Sequence, residues 1–157
     1  MTATTSLRPR MTNPAQLLPD AQRAIMHLIS ATRKGGVPDA TLELVHLRVS
    51  QINGCSFCVE SGSQKAMADG ETVQRLLAVA AWRESPHFTD AERAALALAE
   101  CVTRLDDRPD PVPDAVWDEA VRHYDEPQMA ALLLSIATTN VFNRVNVPIR
   151  QTAGSWG

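Results

Sequence analysis

The chain has 157 residues, 45% hydrophobic and 21% charged, a length that predicts one domain able to close its own core. Fifteen basic against 18 acidic side chains leave a net charge of −3, and thirteen scattered arginines with two lysines give no basic footprint for nucleic acid. The longest mostly apolar run, Met129 to Ala137, is well short of the roughly 18 residues of a membrane span, and no apolar signal segment opens the chain, so a cytoplasmic location is expected.

Residues 1–13 are polar and unpatterned and read as a flexible N-terminal arm, with 14–157 as the domain. From Asp20 to about Lys34, Ala21, Ile25, Leu28 and Ile29 recur at helical spacing, and Gly35-Gly36 stops the helix. A second helix from Asp39 puts Leu42, Val45, Val49 and Ile52 on one face and ends at Asn53-Gly54. A third starts at Cys55-Ser56-Phe57-Cys58 and runs to Ala68, and a fourth spans Thr72 to Trp82. Thr89 and Glu92 form a capping box for a fifth helix reaching about Leu105. Three prolines make 106–113 a loop. A sixth helix covers about Asp114 to Tyr124 and a seventh runs from Pro127 to about Arg144, with Pro148 and the tail ending the fold. No stretch alternates with period two. The reading is all-α: a single-domain helical bundle of about seven helices.

The cysteine pair carries the chemistry. Cysteines three apart at a helix start share a face within disulfide range, and the unpaired N–H groups there favour a thiolate, so a redox dithiol ranks first. Half of a zinc site ranks second, because Cys101, His27, His46, His87 and His123 offer no second paired spacing. Two inert buried thiols rank third. The short turn at Asn53-Gly54 predicts an antiparallel helix pair pivoting near 52–53, which sets Glu43 opposite position 62 and His46 opposite about 59. Glu43, His46 and Ser50 form a polar stripe at i, i+3, i+7. An acid facing a dithiol can take its proton, and burial would raise the acid's proton affinity toward that task. Away from the cysteines, Glu43 would read as a solvated surface acid. Cys101, among Ala and Leu residues, reads as a buried structural thiol.

Residues 43–58 (Glu-Leu-Val-His-Leu-Arg-Val-Ser-Gln-Ile-Asn-Gly-Cys-Ser-Phe-Cys) resemble the core motif of the alkylhydroperoxidase D-like proteins of the carboxymuconolactone decarboxylase superfamily. The likeness continues through 80–84, 88–95 and 139–146. It implies an all-helical obligate oligomer, commonly a trimer or hexamer. The implied activity is reduction of organic hydroperoxides by the dithiol, recycled by a lipoyl-bearing or thioredoxin-like thiol donor. By the same resemblance Cys58 corresponds to the peroxide-attacking cysteine, Cys55 to the resolving one and Glu43 to the acid of a proton relay. Bare helix electrostatics would favour Cys55 as the thiolate instead. No phosphate loop or dinucleotide fingerprint occurs, so no bound cofactor is expected beyond the Cys55–Cys58 couple.

One position departs from the family pattern, which has a histidine four residues after the second cysteine; here it is Gly62. Three outcomes follow: water fills the gap, His46 substitutes as relay, or the relay is broken. His46 otherwise reads as an exposed helix histidine. Restoring histidine at 62 would then be expected to speed thiol oxidation. The rival functions are an oligomeric redox-sensing or binding scaffold with little turnover, and a decarboxylase or lactone-type enzyme. Members of the latter kind generally lack the cysteine pair.

Overall fold

In a computed structural model, described for residues 7–106 and 108–155, the chain forms eight α-helices and one 3₁₀ segment among those residues, with no strand. The α-helices are α1 (Pro14–Leu17), α2 (Pro19–Arg33), α3 (Asp39–Asn53), α4 (Ser56–Ala68), α5 (Val73–Ala78), α6 (Asp90–Thr103), α7 (Asp114–His123) and α8 (Glu126–Ile149). The 3₁₀ segment, Val79–Glu84, follows α5 directly. The predicted fourth helix therefore breaks in two, and Ala81 inside its second half leaves helical geometry (φ −124°, ψ 36°).

α3 is the axis of the domain. It is buried along nearly its whole length, packing on α6 and α8 with one side and on α4 with another. Val45, Val49, Leu98, Ala99, Leu132 and Ile136 close the main core at this junction. A second cluster of Leu44, Leu47, Val79, Trp82 and Leu96 seals α3 against the 3₁₀ segment and α6. Beside it, the buried Glu100 carboxylate accepts from Arg48 Nε (2.8 Å) and Trp82 Nε1 (2.9 Å) and pairs with Arg83. Arg48 is thus a structural partner of an acid. The Thr89/Glu92 capping box is present at the start of α6, and Asp125 with Gln128 forms a second at the start of α8.

The last helix runs five residues beyond its expected end, through Pro148. Proline removes one helix N–H, the one that would pair with the Arg144 carbonyl, while the carbonyls left open by the end of the helix have partners. Arg10 donates its backbone N–H to the Ile149 carbonyl (2.8 Å) and its guanidinium to the Pro148 carbonyl (3.2 Å). Arg150 then closes the helix in the left-handed region (φ 55°). Residues 7–13 of the expected arm therefore lie along the end of α8, and Asn13 is buried as the N-cap of α1; residues 1–6 lie outside the described part.

α8 faces α3 with amides and hydroxyls. Asn143, 1% exposed, donates to Ser50 Oγ (3.1 Å) and accepts from Asn53 Nδ2 (2.9 Å), which also donates to Asn140 Oδ1 (3.0 Å). Removing one member of such a seam strands its buried partners, at about 1–3 kcal/mol per group. Asn143→Ala is expected to lower unfolding stability by about 2 kcal/mol, with an unchanged urea m-value as the check that the fold is kept.

Candidate functional site

Gly54, at φ 67°, ends α3 in the left-handed conformation that glycine adopts freely, and the chain turns straight into α4. Cys55 is not in α4 but caps it: its Sγ accepts the Cys58 backbone N–H at 3.3 Å. Cys58 sits in the first turn. The two are joined as a disulfide with a Cα–Cα separation of 5.3 Å, and both are 2% exposed, packed with Phe57 and Phe142. Sulfur bonded to sulfur is the redox reading of the pair. Among the described residues no three His, Cys, Asp or Glu side chains converge as a metal site would require. Cys101 is buried and free, and burial pushes its thiol pKa up.

The hairpin register differs from the expected one. The pair pivots about Gly54, so His46 lies against Gly62 and Cys58, and Glu43 reaches Lys65. The cause is the turn: α3 holds to Asn53 and α4 starts only at Ser56, which moves the pivot past 52–53. Glu43 is 9% exposed, and its Oε1 accepts from Arg33 Nη2 at 2.8 Å and Lys65 Nζ at 2.9 Å. It is neither a solvated surface acid nor a bare carboxyl in an apolar wall.

His46 is not the exposed histidine of the simpler reading. Its ring is partly buried between α4 and α8, with Nε2 3.4 Å from the Cys58 carbonyl oxygen and Nδ1 3.3 Å from Thr139 Oγ1. A Cβ on residue 62 would come within 2.7 Å of the ring's Cδ2 and 2.9 Å of its Nε2. The imidazole thus occupies the gap that the missing side chain leaves. Burial lowers the pKa of His46 below the ordinary histidine value, while the Glu43 charge and the Cys58 carbonyl pull it back up. Thr139 Oγ1 donates its own proton to the Ser135 carbonyl (2.9 Å), so both ring nitrogens face acceptors. A neutral ring that can take up a second proton and find a partner for it is what a shuttle needs.

Glu43, His46 and Gly62 border a cavity of about 320 Å³ whose other walls include Met26, Ile29 and Phe142. Asn146, two residues past the predicted end of the last helix, donates from Nδ2 to Cys58 Sγ at 3.4 Å. Its own Oδ1 accepts from Asn13 Nδ2 at 3.0 Å. Neither asparagine was a candidate from sequence. The spacing Thr139, Asn143, Asn146 at helical intervals is the signal that could have pointed there.

A model of the carboxymuconolactone decarboxylase family matches residues 19–100. The uncharacterized protein YdfG of Bacillus subtilis (strain 168) is 34% identical over 140 residues, 89% of this chain and 94% of its own length. YnjA of Escherichia coli (strain K12) is 37% identical over 103 residues, which are 66% of this chain and 55% of YnjA. The crystal structure of ATU0492 from Agrobacterium tumefaciens, a protein of unknown function with a suggested role as antioxidant defence protein AhpD, superposes with a TM-score of 0.85 at 30% identity over 93% of this chain and 98% of that one. The debrominase Bmp8 shares the fold, with a TM-score of 0.78 at 23% identity over 89% of this chain and 74% of that one. On this likeness of sequence and fold, with the Cys-x-x-Cys pair at its centre, the chain belongs to the carboxymuconolactone decarboxylase family and is one of its alkylhydroperoxidase D-like members.

Proposed function

We propose that this protein is a thiol-dependent peroxidase that reduces organic hydroperoxides with the Cys55/Cys58 dithiol and is recycled by an external dithiol. The observation that carries the reading is the imidazole of His46 seated in the Gly62 gap, against Cys58 and one turn from Glu43. Cys58 loses its proton to His46, and its thiolate attacks the terminal oxygen of the hydroperoxide. The O–O bond breaks, the alkoxide takes the proton back as an alcohol, and Cys58 is left as a sulfenic acid. The Cys55 thiolate then attacks the Cys58 sulfur and expels hydroxide, which leaves as water, closing the disulfide. Glu43 steadies the protonated imidazole, and Arg33 and Lys65 hold the carboxylate in place. A homo-oligomer is part of the proposal: Trp117 and Val121 on α7 and Leu134 and Val141 on α8 are exposed apolar side chains suited to subunit contacts.

The redox scaffold is the alternative, and turnover separates the two. Stopped-flow mixing of the reduced protein with cumene hydroperoxide is expected to consume two thiols per chain. Cys58→Ser should abolish this, and unchanged peroxide consumption in that variant would eliminate the mechanism.

The relay is tested by exchanging the histidine between helices. His46→Ala should slow thiol oxidation at pH 7 by about 10²-fold, the lower range for a lost general base. Gly62→His alone should displace the His46 ring and so bring no gain in the rate of thiol oxidation. Combined with His46→Ala, the same substitution should recover most of the lost rate, as read by single-turnover thiol counting.

The buried ring also predicts a pH dependence of stability. Its pKa is lowered in the folded protein, whereas the unfolded chain takes up a proton near pH 6.5. Its stabilising contribution is complete above that value and is lost as pH falls toward the folded pKa. Urea unfolding at pH 7.5 and 5.5 should show a larger loss for the wild type than for His46→Gln.

A further inference from the structure

Both cysteines are 2% exposed, but only Cys55 borders a cavity on the α8 side. Further along α8 from the His46 cavity, a second cavity of about 400 Å³ lies where the end of α8 meets the α3–α4 turn. Its lining includes Cys55, Asn146, Val147, Arg150 and Gln151, with Leu7 of the N-terminal segment at one side, and it takes in Cys55 but not Cys58. The position follows from capping: both cysteines pack with Phe57 and Phe142, but Cys55 precedes the first helical residue in an extended conformation (φ −84°, ψ 93°), whereas Cys58 lies within the first turn.

We propose that the recycling dithiol reaches the disulfide through this cleft and attacks Cys55, and that Asn146 receives the Cys58 thiolate so released. The proposal rests on the redox reading above and adds which sulfur is struck and by what route. The donor's first thiolate forms a bond to Cys55 Sγ as the Cys55–Cys58 bond breaks, and the electron pair of that bond leaves with Cys58. The donor's second thiolate then attacks the donor sulfur of the mixed disulfide and releases Cys55 as a thiolate. The donor is oxidised by two electrons, the protein is reduced by two, and the donor's two protons end on Cys55 and Cys58.

Leaving-group chemistry alone does not choose between the sulfurs. Cys55 accepts a backbone N–H at 3.3 Å and Cys58 a side-chain N–H at 3.4 Å, so either thiolate has one hydrogen bond waiting. Access decides it. Arg150 at the rim adds a positive charge that favours an approaching thiolate. Asn146 is held in its donating orientation by Asn13, so the segment before α1 braces the group on which Cys58 depends.

The test needs no peroxide. The oxidised protein is mixed with excess 2-mercaptoethanol, quenched in acid within milliseconds, digested with pepsin and mapped by mass spectrometry. Mercaptoethanol should be found on Cys55 at least about tenfold more often than on Cys58; equal labelling, or an excess on Cys58, overturns the proposal. In Asn146→Ala the preference should fall severalfold, and an unchanged ratio would remove Asn146 from this role. Should the mixed disulfide close too fast to trap, the single-thiol variants give the same answer. At about pH 10, above the ordinary thiol range so that access rather than ionisation sets the rate, Cys58→Ser, which keeps Cys55, should react with the Ellman disulfide at least about tenfold faster than Cys55→Ser, and the reverse order overturns the proposal. A disulfide that no dithiol reduces at all would instead sink the enzymatic reading, a result separate from either labelling pattern.

Discussion

The arrangement around the cysteines depends on one close approach: the Cδ2–Nε2 edge of the His46 imidazole comes against α4 where residue 62 has no side chain. Helices packed face to face leave little room between their axes for a ring of this size unless one partner contributes only backbone. With Gly62 the ring fits; with any Cβ there it must shift. The family's relay places its histidine on the helix that carries the cysteines, projecting toward the acid. In this chain the histidine stands on the acid's own helix and projects toward the cysteines. The space that the family's histidine would occupy on α4 is filled here by a ring from α3.

That exchange has an electrostatic consequence. On α3, His46 is fixed one turn after Glu43, so its proton affinity is tied to a carboxylate that already answers to Arg33 and Lys65. Burial works against charge on the ring, and the Cys58 carbonyl works for it. The balance favours the neutral form at neutral pH, the form able to accept a thiol proton. Were Glu43 instead alone in an apolar wall, charge on either group would be costly, because an unpaired buried charge has neither water nor a partner to stabilise it. Two flanking cations remove that difficulty at the acid and leave the histidine as the group whose charge can change.

Much of this was legible in the sequence for reasons of periodicity and capping. Thr89 with Glu92, and Asn53 with Gly54, mark helix ends by local chemistry, and local chemistry survives folding. The cysteine pair could be read for the same reason, whereas Glu43 as a relay acid and the anomaly at Gly62 came from the resemblance of residues 43–58 to the family motif. The register could not. It depends on how many residues the turn leaves unwound, and a shift of the pivot to Gly54 moved His46 from opposite 59 to opposite 62. The end of α8 could not be read from local pattern, because Pro148 strands only the Arg144 carbonyl and the turn around it still forms. The terminal carbonyls of Pro148 and Ile149 then find their partner in Arg10, more than 130 residues earlier in the chain. A contact of that sequence separation leaves no local trace, and with it went any sight of Asn146.

The two errors concern the same piece of structure. If α8 stopped near Arg144, Asn146 would fall in a loop and Cys58 would face no fixed donor on that side. Because Arg10 holds the last turn together and Asn13 orients the Asn146 amide, the segment before α1 belongs to the cysteine environment rather than trailing from the domain. The disulfide is thereby set between two dissimilar walls. One, formed by α3 and α4, holds ionisable groups that can move a proton. The other, at the end of α8, holds fixed amides and a rim cation that can steady a sulfur anion but not deprotonate a thiol. Oxidation of a dithiol by peroxide requires proton removal from a particular sulfur, whereas thiol–disulfide exchange requires access and a stable leaving thiolate. Each wall is equipped for one of these demands and lacks the means for the other.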